Sequence, residues 1–193
     1  QRQMCIRDST EVVVNLCIDF LENRTDKKTV DLCSGSGAIA VALDKISGAK
    51  VTAVEIDETA FSYLETNVKE NNSSVKPVMA DALEICETFA DGELDLIVSN
   101  PPYIKSADIE TLQKEVRLEP RLALDGGEDG CDFYREIVSR WSRKLKKGGA
   151  LAFELGENQA DAVKALMTDK GFSDFKISLD FGGVQRAIIG TLL

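Results

Sequence analysis

The alternation of short β-branched segments with segments of helical periodicity is the strongest constraint that this sequence places on its fold. Strands are predicted at 29–33, 50–56, 75–79, 94–99 and 150–155. A helix beginning at Ser9 or Thr10 precedes them, and further helices are predicted at 38–46, 58–71, 131–145 and 157–170. Strands that alternate with helices form a parallel sheet whose two faces are both covered by helices.

Two further strands, at 175–179 and 185–191, are separated only by Asp180-Phe181-Gly182-Gly183. A parallel pair needs a crossover of about a dozen residues, so these two strands form an antiparallel hairpin. The predicted fold class is therefore α/β, a doubly wound and mostly parallel seven-stranded sheet with a C-terminal antiparallel hairpin. Residues 9–193 are predicted to form one such domain, and residues 1–8 are left unassigned.

The composition narrows the chemistry of this domain. The chain contains no histidine, which excludes a Ser-His-Asp triad, a Cys-His dyad and imidazole metal ligands, and no metal site is predicted. Its formal net charge of −10 disfavours direct nucleic-acid binding, which relies on clustered cations. Cations do concentrate in the second half, where a solvated helix face is the favoured interpretation. They are Arg117, Arg121, Arg135, Arg140, Arg143, Lys144, Lys146 and Lys147.

The cysteines and the hydropathy pattern bear on where the protein works. The five cysteines form no C-x-x-C pair, and they are Cys5, Cys17, Cys33, Cys86 and Cys131. Their odd number and wide spacing favour reduced thiols and a cytoplasmic protein. No apolar run approaches the roughly 18 residues that span a bilayer, so no membrane partner is predicted.

A glycine-rich segment, Gly35-Ser36-Gly37-Ala38-Ile39-Ala40, follows the first predicted strand and opens the next helix. Glycines there let the backbone approach a ligand, and the helix N-terminus supplies N–H donors. The pattern alone does not distinguish a nicotinamide dinucleotide from S-adenosylmethionine. Glu55 ends the second strand roughly 20 residues later, where an acidic side chain binds ribose hydroxyls. A plain turn and a surface carboxylate are the alternative interpretations.

Two aspartates extend this candidate ligand site. Asp31 lies inside the first apolar strand, where a carboxylate is costly unless it is paired. It is expected to face a cationic end of the ligand, to bind the glycine loop, or to do both. Asp81 and Ala82 follow the third strand, where contacts to an adenine edge would lie, and a turn role for Asp81 is equally compatible with its position.

Asn100-Pro101-Pro102-Tyr103, directly after the fourth strand, favours methyl transfer to a planar nitrogen. An amide or exocyclic amine has a delocalised lone pair, which must be turned toward the methyl carbon. The Asn100 side-chain oxygen and the Pro101 carbonyl can accept from such an NH₂ group, while prolines fix φ and remove competing N–H donors. Tyr103 offers a flat surface for the planar group. Rate then comes from positioning rather than from a tuned general base.

These residues together resemble the amino- and amide-directed class I methyltransferases, whose sheet ends in the same kind of hairpin. A later segment, residues 119–130 with the sequence E-P-R-L-A-L-D-G-G-E-D-G, is followed by Asp132-Phe133-Tyr134. It narrows the resemblance to the release factor glutamine methyltransferases, and the resemblance runs from about Thr10 to the C-terminus. That family transfers a methyl group from S-adenosylmethionine to the glutamine side chain in the Gly-Gly-Gln loop of peptide chain release factors.

The resemblance also implies roles for individual residues. The methionine and ribose end of the cofactor would be lined by Cys33, Ser34, Gly35, Ser36 and Gly37, with Asp31 behind them. Glu55 would bind the ribose hydroxyls, and Asp81 with Ala82 would border the adenine. Asn100 would touch both cofactor and substrate, and the glutamine pocket would be completed by Pro101, Pro102 and Tyr103.

The chain departs from that family in three places, and alternatives stay open. The family's N-terminal helical domain, which helps dock the release factor, is not in this sequence. Cys33 stands where glycine is common, and residues 7–11 match a proline-containing family segment only loosely. The alternatives are an amino-methyltransferase acting on DNA or rRNA bases, and a cofactor-binding module without activity. An NAD-dependent oxidoreductase comes third, because the hairpin and the NPPY sequence disfavour it.

Overall fold

The computed structural model describes residues 2–114 and 116–193, with side chains from residue 10 onward. Its strands are β1 Lys28–Leu32, β2 Lys50–Glu55, β3 Lys76–Met79, β4 Leu94–Ser99, β5 Leu145–Glu154, β6 Phe172–Leu179 and β7 Gln185–Leu192. Its α-helices are α1 Arg2–Leu21, α2 Ala38–Ser47, α3 Glu58–Glu70, α4 Arg121–Leu124, α5 Asp132–Trp141 and α6 Ala160–Asp169. Short 3₁₀ turns cover Ile85–Thr88, Ile109–Thr111, Val116–Leu118 and Ser142–Lys144.

The strands form one seven-stranded sheet in the order β3-β2-β1-β4-β5-β7-β6. Strands β1 to β5 pair in parallel, whereas β7 runs antiparallel to both β5 and β6. The predicted α/β fold class and its terminal hairpin are thus confirmed. The strand order reverses between β1 and β4, and open α/β sheets bind ligands outside the carboxyl ends of the strands at such a point.

Helices cover both faces of the sheet because the strands present apolar side chains to both sides. In β4, Leu96 and Val98 join the core beneath α1, α2 and α3, while Ile97 joins the core beneath α5 and α6. Helix α1 buries the predicted face: Val13 and Cys17, one turn apart, are fully buried. None of the helices in the described part of the chain combines the length and the apolar content needed to cross a membrane.

Several predicted boundaries were wrong. Helix α1 begins at Arg2 rather than at Ser9 or Thr10, since residues 2–21 contain no glycine or proline that would end it. Residues 2–8, which were left unassigned, therefore belong to this helix. Gln1 lies outside the described residues. The helix predicted to reach residue 145 ends at Trp141. Strand β5 instead starts at Leu145 and takes in the two glycines through a register shift against β4. Helix α6 begins at Ala160, after a turn over residues 156–159.

Candidate active site

The candidate site lies at the carboxyl ends of β1, β2 and β4, where the strand order reverses. Two loops leave the sheet there: the glycine loop (residues 33–37) after β1 and the NPPY loop (residues 100–103) after β4. The buried Ser99 hydroxyl donates to the Leu32 carbonyl oxygen at 2.8 Å, so the ends of the two strands are tied together. The structure therefore brings the predicted cofactor and acceptor residues to one sheet edge.

The glycine loop turns sharply into α2. Gly37 has a φ of 82° and is the N-cap of α2. A Cβ at this position would overlap the Leu64 side chain of α3, so a larger residue does not fit without movement. The exposed Ser36 carbonyl accepts a hydrogen bond from the Asn67 side chain at 2.9 Å. The loop is thus packed against α3 while its outer surface stays open.

Asp31 is fully buried at the end of β1. Its Oδ2 atom accepts from the Ser34 hydroxyl at 2.6 Å and from the Ala40 N–H at 3.2 Å, so it anchors the glycine loop. Its Oδ1 atom has no hydrogen-bond partner within the described part of the protein. Burial raises the pKa of this carboxyl to about 7. One carboxyl oxygen is therefore held by the loop, and the other keeps its acceptor capacity.

Glu55 is fixed by backbone donors rather than left mobile. Its Oε1 atom accepts from the N–H groups of Ile56 and Asp57, each at 2.8 Å, and its Oε2 atom accepts from Gly35 at 2.7 Å. A carboxylate oxygen has two lone pairs, so Oε2 keeps one acceptor position. The side chain thus joins the end of β2 to the glycine loop.

Cys33 occupies a backbone conformation that glycine favours. Its φ is 56°, in the left-handed region where a Cβ costs roughly 1–2 kcal/mol. Burial raises the pKa of its thiol to about 12, so the thiol is protonated at neutral pH. The sequence departure at this position therefore has a structural counterpart, a strained non-glycine residue in the loop.

Asp81 and Ala82 follow β3, as predicted. Asp81 Oδ1 accepts from the Leu83 N–H at 2.7 Å, which is the turn role that its position allowed. The Ala82 carbonyl accepts from the buried Trp141 indole at 2.9 Å. This segment is held from below by α5, and its Asp81 side chain remains partly exposed at the same sheet edge.

In the NPPY loop, Pro101 and Pro102 are buried, while Asn100 and Tyr103 are partly exposed. Among the described residues, no hydrogen-bond partner occurs for the Asn100 side-chain amide. The loop itself is stiff and covered, but the group predicted to contact substrate keeps its donors and acceptors.

A segment far along the sequence supports the NPPY loop. Ile104 donates to the Leu124 carbonyl at 2.9 Å, and Gly126 donates to the Ile104 carbonyl at 2.8 Å. Gly130 has a φ of 79°, and a Cβ there would lie 2.5 Å from the Tyr103 carbonyl oxygen. The segment 119–130, which carries the family resemblance, therefore returns to the loop and packs directly on its backbone.

Gln159, which was not predicted as a site residue, contacts the same loop. The residue is only 9% exposed, and its Nε2 atom donates to the Tyr103 carbonyl at 2.9 Å. The available signal was a glycine, Gly156, at the end of a buried strand followed by an amide residue before a helix. Such a turn places a polar side chain at the sheet edge where the ligand loops lie.

The cation cluster of the second half does not form the single solvated helix face that was predicted. Its members lie on α4, α5, two 3₁₀ turns and β5. Lys144 is only 3% exposed because its ammonium group donates to the Phe89 carbonyl and to Asp91, both at 2.8 Å. Ion pairs with carboxylates engage Arg121, Arg135, Arg140, Arg143, Lys144 and Lys146. Most of this positive charge is thus neutralised locally.

Comparison with known proteins identifies related methyltransferases. The chain is 40% identical over 188 residues to the release factor glutamine methyltransferase of Geobacter sulfurreducens, covering 96% of this chain and 64% of that protein. It is 36% identical over 188 residues to the enzyme of that name from Clostridium acetobutylicum, covering 95% and 65%. The chain therefore spans a little less than two thirds of the length of these relatives.

Solved structures share the fold. A methyltransferase from Pyrococcus furiosus superposes with a TM-score of 0.68 at 24% identity, over 90% of this chain and 79% of that one. TrmN from Thermus thermophilus gives a TM-score of 0.64 at 19% identity, over 93% and 48%. Residues 7–121 match the methyltransferase small domain family. By that match, the chain belongs to the methyltransferase small domain family.

Proposed function

We propose that this chain is the catalytic domain of an S-adenosylmethionine-dependent methyltransferase that acts on a glutamine side-chain amide of a peptide chain release factor. The relatives named release factor glutamine methyltransferase, at 36% and 40% identity, support the substrate class. The chain spans only part of the length of those relatives, so the activity of the full-length relatives is proposed, and not assumed, for this domain. The Gly-Gly-Gln loop is the expected acceptor.

The residues present fit the cofactor. The unpartnered Oδ1 atom of buried Asp31 suits an ammonium group, which supplies the missing donor. The glycine loop from Cys33 to Gly37 would hold the methionine and ribose portions. Glu55 would accept from the ribose hydroxyls, and Asp81 with Ala82 would border the base.

S-Adenosylmethionine, when bound, would supply an electrophilic methyl group from its cationic sulfur and leave as the neutral thioether, and the amide nitrogen that accepts the methyl group would release one proton to water. The protein's part is orientation. The Asn100 oxygen and the Pro101 carbonyl accept from the substrate NH₂ group, which turns its lone pair out of conjugation. Tyr103 packs against the planar amide. Such positioning lowers the barrier without a general base.

The free hydrogen-bonding capacity of Asn100 beside the glycine loop is the observation that carries this proposal. Replacing it by alanine removes an orienting acceptor and leaves the other cofactor residues intact. We expect Asn100→Ala to reduce methyl transfer by about 100-fold or more. Cofactor affinity should stay within about threefold, and the exposed Asn71→Ala should change neither quantity.

The assay measures transfer of labelled methyl groups to a release factor, to the same factor with its Gly-Gly-Gln glutamine replaced by alanine, and to DNA and rRNA. Labelling of the intact factor alone supports the proposal. Labelling of nucleic acid alone would replace the substrate class, and full activity of Asn100→Ala would refute the mechanism. Cofactor binding without transfer to any substrate would identify a binding module.

We also propose a cytoplasmic location. The described cysteines Cys17, Cys33, Cys86 and Cys131 are free thiols, which is typical of a reducing compartment. Release factors act in that compartment, so the two proposals are mutually consistent. Fractionation of cells producing the tagged protein tests this assignment.

A further inference from the structure

The Gln159 side chain connects three backbone segments that meet at the NPPY loop. Its Nε2 atom donates to the carbonyl oxygens of Tyr103 (2.9 Å) and Gly130 (3.1 Å), and its Oε1 atom accepts from Gly156 at 3.0 Å. Only this amide orientation satisfies two carbonyls and one N–H, so the geometry fixes which atom is which. The Tyr134 hydroxyl lies 3.3 Å from Oε1 and completes the cluster.

The chemistry of the loop explains why such a side chain is needed there. Pro101 and Pro102 have no N–H groups, so these two residues cannot be tied down by their own backbone donors. The loop must be held through its carbonyl oxygens and through the residues that follow it. Gln159 is the side chain that donates to the Tyr103 carbonyl, three residues after Asn100.

We propose that Gln159 is a positioning residue for the methyl acceptor: it sets the Tyr103 carbonyl, and through the stiff diproline segment it sets Asn100. The assignment rests on the proposed function, because it places Gln159 in support of the same acceptor site. Gln159 itself touches neither substrate nor cofactor. Its loss should therefore lower the turnover of bound substrate rather than the binding of either ligand.

The test compares Gln159→Leu with Tyr134→Phe. Gln159→Leu removes both donors to the loop, whereas Tyr134→Phe removes a buried hydroxyl of the same cluster and keeps those donors. We expect kcat to fall about 10- to 100-fold in Gln159→Leu. The cofactor Kd and the KM for release factor should stay within about threefold. In Tyr134→Phe, kcat should also stay within about threefold.

A second variant gives a pH-dependent readout. In Gln159→Glu the ionised carboxylate faces two carbonyl oxygens and donates to neither, whereas the protonated carboxyl regains one donor. Burial beside two carbonyl oxygens raises the pKa of the introduced carboxyl. As pH falls through that pKa, we expect the ratio of the kcat of Gln159→Glu to the kcat of the unmodified chain to rise about tenfold or more. A flat ratio across pH would contradict the donor role.

Hydrogen exchange separates this inference from the proposed function. The N–H groups of Ile104 and Gly126 bond between the NPPY loop and its supporting segment. Their exchange should accelerate at least tenfold in Gln159→Leu and much less in Tyr134→Phe. If the unmodified chain methylates no release factor, the proposed function fails, but this exchange pattern still supports positioning. Unchanged exchange, or equal effects of the two variants on kcat, would overturn the positioning role.

Discussion

The glycine loop and the NPPY loop lie at the same sheet edge, but they are held by different kinds of contact. The Gly35–Glu55 hydrogen bond joins residues 20 positions apart, and the Asp31–Ala40 bond joins residues 9 positions apart. The Tyr103–Gln159 bond joins residues 56 positions apart. The methionine and ribose end of the cofactor site is therefore built from one local β-α-β unit, whereas the acceptor side depends on closure of the later half of the domain.

This difference predicts that methyl transfer and cofactor binding respond to different substitutions. Substitutions in the later half of the domain that shift the NPPY loop should abolish methyl transfer and leave cofactor binding unchanged. Substitutions in the β1-α2-β2 unit should lower cofactor affinity and change turnover at saturating cofactor much less. Single substitutions at matched glycines, at Asp31 and at Cys33 test this difference.

The largest effect is expected for Gly130→Ala. Its Cβ would press on the Tyr103 carbonyl and lie 2.7 Å from Gln159 Nε2, so the NPPY loop must shift. We expect methyl transfer to fall about 100-fold while cofactor affinity stays within about threefold, measured by labelled transfer and by calorimetry. Gly92→Ala is the control, since Gly92 has a similar φ of 67° and open space around a Cβ. Equal losses in both variants would show a general strain effect.

A smaller effect, on cofactor affinity rather than on turnover, is expected for Gly37→Ala. The added methyl group would overlap the Leu64 side chain and displace the turn that carries the loop N–H groups. We expect cofactor affinity to fall about tenfold, with kcat at saturating cofactor changed much less. Gly48→Ala, with a φ of 68° and no neighbour within 4 Å of a Cβ, is the matched control. A loss of kcat with unchanged affinity would contradict the comparison.

Asp31→Asn should raise the free energy of unfolding in a pH-dependent way and lower cofactor affinity. Because burial raises the pKa of Asp31 to about 7, the folded state binds a proton that the unfolded state has lost between about pH 4 and 7. The free energy of unfolding contributed by this group therefore falls as pH rises through that window. At pH 8 we expect Asp31→Asn to stabilise the ligand-free protein by about 1–3 kcal/mol and to weaken cofactor binding about tenfold.

Denaturation at pH 4 and pH 8 provides the measurement. The stabilising effect of Asp31→Asn should be present at pH 8 and absent at pH 4, where the native carboxyl is already neutral. An effect of equal size at both pH values would mean that the charge of Asp31 is not its cause.

The smallest effect is expected for Cys33→Gly. Removing the Cβ relieves the cost of a φ of 56°, but glycine loses more backbone entropy on folding and the buried thiol is lost. These terms oppose each other, so we expect the unfolding free energy to change by less than about 1 kcal/mol. Thermal unfolding checks this, with Cys17→Gly in α1 as the contrast, where only the losses apply and destabilisation should be clear.

Most of the fold could be predicted from sequence because its signals are local. The β-branched runs place β1, β2 and β4 within a residue or so of their observed bounds, and the short Asp180–Gly183 turn permits only a hairpin. The errors fall where a tertiary contact decides the outcome. The start of β5 depends on its pairing with β4, and the late start of α6 follows from a turn in which Gly156 bonds Gln159.

The candidate site divides in the same way. Asp31, Glu55 and the glycine loop follow from residue type and strand position, and their mutual bonds are short in sequence. The Gln159 amide gives no such signal, because its role depends on a carbonyl 56 positions away. The burial of Lys144 was also missed, since its partners Phe89 and Asp91 come from a distant loop.

The placement of β7 has a consequence for biosynthesis. This strand is synthesised last of the seven, yet it lies between β5 and β6 in the sheet. While the ribosome is still making it, the β5 edge exposes unpaired N–H and C=O groups beside apolar residues, which is a template for aggregation. A nascent chain of this protein is therefore open to strand pairing at the β5 edge until β7 emerges.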